Sequence, residues 1–425
     1  TTMTPAGTST ARHRMRLALL THEPLDPPTG GGSAEALYLV REFVRRGHDV
    51  HVFCPTVPEG ERLERDLGVR LHPFTLWRMG RYASLRSVKY LLYPLFLERL
   101  VAQAARRTRF DVLFSQHAIS AVAAGRLKRR IEATVVMNQL DYLTGFMETW
   151  PAWLMPRPLL AVLMRYELSL PRRFGADRVL TVSDALADRV AATGFPRERI
   201  QSIYYGYDSA LFPFNAAAVA ARGDDPPVVV MHGSFDHHHL GPIALDALAH
   251  VRAERPDTVF RFVGQPTDTL RSFLEAARKR GVAGGVECPG FVPYREMARH
   301  LAGASVGIVP YEASAGVHCA FVAKVVESLA LGLPVVCTPL EGIQRYFPDE
   351  PLIRYARFEG RDFGEHILAW LRTPLSERRK MSQPASLRVA RELDWNVICR
   401  RAADAVEDAS RSQSSGQPVN AKTCP

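Results

Sequence analysis

Glu327 is a carboxylate inside an otherwise apolar run, Lys324 to Val336, with Lys324 three residues before it. Val325, Val326, Leu329 and Ala330 fall at helical spacing. Gly332 can end a helix in the left-handed conformation, and Pro334 opens a stretch with strand propensity, Val335 and Val336. Two readings of Glu327 stand: a solvated helix position, or a carboxylate held on a rigid helix to accept hydrogen bonds from a ligand's hydroxyls. Other polar residues sit where chemistry is possible. Gly30-Gly31-Gly32-Ser33 lets backbone approach a ligand closely, and a helix N-terminus after it attracts anions. The contiguous glycines do not make the Gly-x-Gly-x-x-Gly dinucleotide fingerprint, so a plain turn is the competing reading. His117 follows the apolar run Phe110 to Phe114, and Asn138 to Asp141 follows Ala133 to Met137. Ligands bind at such strand ends in parallel sheets. Three adjacent histidines, His237 to His239, invite a metal reading, but neighbouring side chains diverge and rarely converge on one ion.

The elements that must position these groups alternate. Strands are expected at Met15 to Thr21, Asp49 to Cys54, Val69 to Pro73, Phe110 to Phe114, Ala133 to Met137, Arg178 to Val182 and Ile200 to Tyr204. A helix over Ala34 to Arg46 separates the first two, giving a βαβ unit. A second series starts at Val228 to Met231 and continues through Thr258 to Val263, Gly285 to Cys288 and Val306 to Pro310. Helices are expected at Ile243 to Arg252, Leu270 to Arg280, Tyr294 to Leu301 and Phe321 to Leu331. Such alternation predicts an α/β chain of two doubly wound, Rossmann-like domains facing each other. The expected division is a disordered N-terminus over 1–13, a first domain over 14–215, a linker over 216–227, a second domain over 228–385, a helix over 386–409 crossing back to the first domain, and a disordered tail over 410–425.

Length and composition fit this. The chain has 425 residues, enough for two cores, and a normal balance of 47% hydrophobic and 23% charged residues. The net charge of +10 favours anionic partners. No nucleic-acid reader motif is present, and the basic residues are mostly dispersed arginines, so nucleic acid is not an expected partner. Six cysteines without Cys-x-x-Cys spacing, at 54, 288, 319, 337, 399 and 424, predict a reducing compartment. Cys54, Cys288 and Cys337 end apolar runs and read as buried. No run is apolar and long enough to span a bilayer, and Leu17 to Leu20 is too short for a signal-peptide core, so a cytoplasmic protein is expected. Two segments combine aromatic, apolar and basic residues: Trp77 to Arg107, and Trp150 to Arg172 with Arg157 and Arg165. They can lie on an anionic membrane at its inner face, or be ordinary helices with a solvated basic side.

The order of these features resembles a GT-B glycosyltransferase, of the retaining family 4 (glycosyl transferases group 1), over about Met15 to Asp408. Four places carry the resemblance: Gly30-Gly31-Gly32-Ser33-Ala34-Glu35 leading to Gly47-His48-Asp49-Val50; Arg178 to Ser183 followed by Tyr205-Gly206-Tyr207-Asp208; Phe262-Val263-Gly264 with Pro289-Gly290-Phe291-Val292; and Lys324-x-x-Glu327 followed by Gly332-x-Pro334-Val335-Val336.

The resemblance implies transfer of a sugar, with retention, from a nucleotide sugar such as a UDP- or GDP-sugar to a hydroxyl on a lipid-linked, polysaccharide or natural-product acceptor. It implies a cleft between the domains, no permanently bound cofactor and no metal. Glu327 would bind ribose hydroxyls, and Gly31 and Gly32 would approach the diphosphate or sugar. Gly233, Ser234, His239, Gly264, Phe291 and Lys324 would complete the donor site, with the backbone of Gly316, Val317, His318 and Cys319 facing the sugar. This sequence also departs from the family. A donor-contacting Glu is replaced by Cys319, with Glu312 out of register. An Arg is replaced by Ser234, and a Lys position falls in His237-His238-His239. The family's N-domain histidine aligns near Asn138, leaving His117 and Asp141 as candidates for its role. These departures keep open a second expectation: a catalytically impaired GT-B protein serving as a nucleotide-binding or partner subunit.

Overall fold

The computed structural model describes residues 14–26, 31–75, 86–222 and 226–415. Two parallel sheets organise the chain. The first contains β1 (Arg16–Leu20), β2 (Asp49–Pro55), β3 (Arg70–Phe74), β4 (Val112–Gln116), β5 (Thr134–Gln139), β6 (Arg178–Thr181) and β7 (Ile200–Ser202), in the order β3-β2-β1-β4-β5-β6-β7. The second contains β8 (Val228–His232), β9 (Val259–Val263), β10 (Val286–Gly290), β11 (Val306–Val309), β12 (Val335–Cys337) and β13 (Ile353–Tyr355), in the order β10-β9-β8-β11-β12-β13. Both orders reverse direction beside their first strand, so each sheet has a switch point between β1 and β4 or between β8 and β11. The central strands read as continuous apolar runs because helices cover both faces. Leu17 to Leu20, Val112 to Phe114 and Val229 to Met231 are all buried.

Several elements differ from expectation. The glycine run does not precede its helix but starts it, because the helix spans Gly31–Arg45; Gly30 lies outside the described residues. β13 is a further strand, three residues long at the edge of its sheet. Cys288 is exposed on the edge strand β10, whereas Cys54 and Cys337 are buried. Within 216–227, Ala216–Ala221 forms a short helix capped by the Asn215 side chain, which accepts from Ala218 N–H. Trp77 to Tyr82 lie outside the described residues, and the segment after them contains the helix Arg86–Ala105. No helix among the described residues is long and apolar enough to cross a membrane.

The C-terminal region is two helices, Leu375–Leu393 and Trp395–Ser415, broken at Asp394. Residues 410–415 therefore continue a helix rather than start a disordered tail. Arg222 and Ser382 both bind the Gly332 carbonyl, tying the first of these helices to the end of Ala323–Ala330. The second packs on Gly31–Arg45 of the first half. Trp395 stacks on Tyr38 with ring centroids 5.3 Å apart. Glu407 accepts from Arg46 at 3.0 Å and contacts His48 Nε2 at 3.1 Å, and Asp404 accepts from Arg46 at 2.7 Å. The Arg46 side chain is only 2% exposed, so its charge is matched by a cluster of carboxylates rather than by water.

Candidate active site

The helix Ala323–Ala330 buries Val325, Val326, Leu329 and Ala330 against the second sheet. Its end is fixed twice. Gly332 turns left-handed (φ +64°) and Leu333 N–H returns to the Ser328 carbonyl. The Arg222 guanidinium then binds the Leu331 and Gly332 carbonyls, each at 2.7 Å. Burial holds that guanidinium down at about 10. On this rigid element Glu327 is 3% exposed. One carboxylate oxygen contacts His232 Nε2 at 2.5 Å, and the other accepts from the Tyr294 hydroxyl at 2.7 Å. Glu327 is thus a buried acceptor with hydrogen-bonding groups on both oxygens, not a solvated helix position.

Beside it, Gly233 follows β8 with φ +100°. A Cβ built on Gly264 would lie 2.0 Å from the Gly233 carbonyl, so only glycine fits at the end of β9. A Cβ on Gly233 would lie 3.2 Å from Lys324 Nζ, so the ammonium rests on bare backbone. Lys324 Nζ donates to the Tyr311 hydroxyl at 2.9 Å. His238 and His239 pack on Tyr311, and His239 Nδ1 accepts from Asp236 N–H at 2.9 Å. Burial, then the Lys324 charge, hold His238 down at about 3, so it is neutral at pH 7.

The first sheet contributes a polar cluster at the carboxyl ends of β4 and β5. Asn138 Nδ2 donates to Glu35 Oε2 at 3.1 Å, and Gln116 Nε2 donates to the same oxygen at 3.3 Å and to the Gly32 carbonyl at 2.8 Å. Glu35 has 0% exposure. Burial raises its carboxyl to about 8, against the hydrogen bonds from Gln116 and Asn138. His117 begins the next helix with φ +63°, a rare conformation for a side chain of its size. A Cβ on Gly32 would meet His117 Nε2 at 2.3 Å and Glu23 Oε2 at 2.6 Å. Gly32 is therefore glycine to admit the histidine and the glutamate.

The two halves meet around these groups. Tyr205 donates to the Gly31 carbonyl at 3.1 Å. Its phenol is pushed well above the usual range by burial, then by the charges of Glu327 from one half and of Glu35, Glu23 and Asp141 from the other. Gly145 and Gly316 touch backbone to backbone: a Cβ on Gly316 would lie 2.4 Å from Phe146 N. Ala315 N–H donates to Glu148 at 2.5 Å, and Ser183 donates to the Cys319 carbonyl at 2.5 Å.

Family models match most of the chain. The model described as Glycosyltransferase Family 4 matches residues 29–211, and Glycosyl transferases group 1 matches residues 226–371. WcaL of Escherichia coli, named as a colanic acid biosynthesis glycosyltransferase, is 24% identical over 324 residues, 74% of each chain. The chain is a group 1 glycosyltransferase. Its fold is GT-B. Sucrose-phosphate synthase from Thermosynechococcus elongatus superposes with a TM-score of 0.76 at 15% identity, covering 95% of this chain and 100% of that one. Anabaena HepE in complex with UDP and glucose gives 0.68 at 16% identity, covering 92% and 99%.

Of the residues expected in this glycosyltransferase's site, Glu327, Lys324, Gly233 and Gly264 lie together, with His239 behind Tyr311. Gly31, Gly32, His117 and Asn138 lie together on the opposite half, and the charge of Asp141 reaches both Glu35 and Tyr311. Ser234 is half-buried beside Gly233, and Phe291 is 64% exposed. The 316–319 segment packs against the first half. Gly316 faces Gly145, Val317 is fully buried, and His318 sits edge-on to Phe358. Cys319 has its carbonyl on Ser183 and its thiol pushed up to about 12 by burial. Glu312 accepts from Ile243 N–H at the start of the helix Pro242–Glu254. Sequence reading gave no role to Glu35 and Tyr205, though both stand in the motifs that carry the resemblance, and it passed over Gln116, His232 and Tyr294. His232 and Gln116 end strands, the signal that singled out His117; Tyr294 carried none.

Proposed function

We propose that this enzyme transfers a sugar, with retention, from a UDP- or GDP-sugar to an acceptor hydroxyl, with 228–385 as the donor side and 14–215 as the acceptor side. The observation that carries this is Glu327, a buried carboxylate on a capped helix whose oxygens already hold hydrogen-bonding groups. Ribose hydroxyls would take over part of that bonding. Lys324 beside the bare backbone of Gly233 supports a diphosphate position, where leaving-group charge is stabilised by fixed donors. The transition state is oxocarbenium-like. A phosphate oxygen on the same face can accept the acceptor's proton, so no carboxylate pair is required. Phe291, exposed three residues before Tyr294, is the candidate surface for the base. His117, Asn138 and Asp141 would then face the acceptor and sugar, with Glu35 holding Asn138.

UDP is the first donor nucleotide to test, because HepE structures contain UDP and UDP-glucose. A lipid-linked acceptor at the inner face of a membrane fits the basic, apolar surface of the first half. One observation favours a second reading, a binding subunit without transfer: Glu148 and Ser183 already engage the Ala315 amide and the Cys319 carbonyl. A thermal-shift panel of UDP, GDP, ADP and dTDP, with and without magnesium, tests the proposal. A shift with UDP or GDP, independent of magnesium, followed by sugar release from the matching donor, is expected. A shift without turnover favours the binding subunit, and no shift with any nucleotide overturns both.

A further inference from the structure

The helix Arg157–Phe174 and the turn before it carry an exposed apolar face. Trp153 is 83% exposed and Val162 66%, with Leu154 and Leu159 each 50%. Leu159, Val162 and Tyr166 recur at helical spacing and share one side. Single exposed apolar residues are ordinary, but five together, including a tryptophan, are not. From Trp150 to Phe174 the acidic residue is Glu167, which is buried and binds the Leu143 and Thr144 amides.

Arginines border this face. Arg165, Arg172 and Arg173 of the helix, with Arg189 from Asp184–Ala191, line one cavity of about 820 Å³ that also reaches Tyr142. Among the described residues no carboxylate forms an ion pair with any of the four. Arg172 donates to the Thr193 carbonyl at 2.7 Å, and Arg173 donates to Ser169 at 2.8 Å. Arg173 also lies over the Tyr166 ring, 5.3 Å from its centroid, and Arg189 bonds the Cys319 thiol. No carboxylate neutralises the group, so it can still take an anion. Guanidinium groups bind phosphate oxygens in pairs, and the stems of arginines can lie along apolar surface.

We propose that this face docks on an anionic phospholipid bilayer, with Trp153, Leu154, Leu159 and Val162 entering the headgroup boundary and the arginine-lined cavity receiving lipid phosphates. The occupant follows from two features that must be matched together: an apolar ridge without carboxylates, and a phosphate-binding charge along its border. Tyr142 of the cavity wall immediately follows Asp141, so a headgroup bound there would lie beside the segment that leads to the catalytic cluster. The inference goes beyond the transfer reaction and does not require it.

Co-sedimentation of the full chain with phosphatidylcholine vesicles, with and without phosphatidylglycerol, tests it. Binding is expected only with phosphatidylglycerol, and weaker as salt rises. Arg165→Glu with Arg173→Glu, and separately Trp153→Ser with Val162→Ser, should each lower the partition by about tenfold or more. All four side chains are exposed, so the melting temperature and nucleotide binding should stay at wild-type values. Equal binding to both vesicle types, no binding to either, or unchanged partition in either variant overturns the proposal. Self-association lost in the Trp153→Ser, Val162→Ser variant, without vesicle binding, overturns it in favour of a second copy of the chain. None of these outcomes bears on the nucleotide panel.

Discussion

Glu35→Gln should flatten much of the pH dependence of stability in the first half of the molecule. The carboxyl sits at 0% exposure, and burial raises it from 4.5 to about 8. The folded state therefore holds a proton that the unfolded chain releases between these values. This contribution to stability is fully present below pH 4.5, declines across the window, and is lost as pH rises through about 8. Each pH unit corresponds to about 1.4 kcal/mol, which sets an upper bound of about 5 kcal/mol for the whole shift. Relaxation of the interior reduces such figures, so on the order of 2 kcal/mol is expected. Glutamine keeps an oxygen for Gln116 and Asn138 and cannot ionise. Urea unfolding at several pH values should show the variant matching wild type near pH 5 and exceeding it at pH 8.5. Glu167 and Glu312 are also raised by burial, so both proteins keep some slope, and the difference isolates Glu35. Parallel curves for the two proteins would refute the argument.

Gly32→Ala places a Cβ 2.3 Å from His117 Nε2, so the histidine must move; transfer activity should fall about 100-fold, read as kcat/KM, with little loss of nucleotide binding. Gly316→Ala meets backbone at Phe146 N rather than a flexible side chain, so it should force the halves apart and destabilise by about 1–3 kcal/mol in urea. Glu407→Ala removes the carboxylate that Arg46 and His48 share under the last helix, but Glu42 and Asp404 still pair with Arg46, so stability in urea should fall by only about 1–2 kcal/mol.

The two doubly wound sheets were legible because central strands in a parallel sheet are buried on both faces and therefore read as apolar runs. Ile353–Tyr355 escaped because an edge strand of three residues carries too little pattern. The glycine run read as a loop because glycine disfavours helix interiors, yet Gly31 and Gly32 occupy a first turn, where Tyr205 and His117 exclude larger residues. Glu327 stood out as a carboxylate in an apolar run. Its partners Tyr294 and His232 lie 33 and 95 residues away, and nothing local announces such pairings. Glu35 closed the glycine motif without a role until the fold brought Gln116 and Asn138 onto it. The Gly316 to Cys319 backbone was the least legible, because its neighbours Gly145, Glu148 and Ser183 come from the other half.

Calorimetric titration of UDP, and then GDP, into wild type and Glu327→Gln reads the role of that carboxylate in nucleotide binding. The nucleotide bound by wild type should bind the variant about 5- to 150-fold more weakly, the equivalent of 1–3 kcal/mol for a lost charged hydrogen bond. The melting temperature of the unliganded variant serves as the control for folding. Unchanged affinity in a folded variant would contradict the placement of the nucleotide at Glu327 and the donor site built around it.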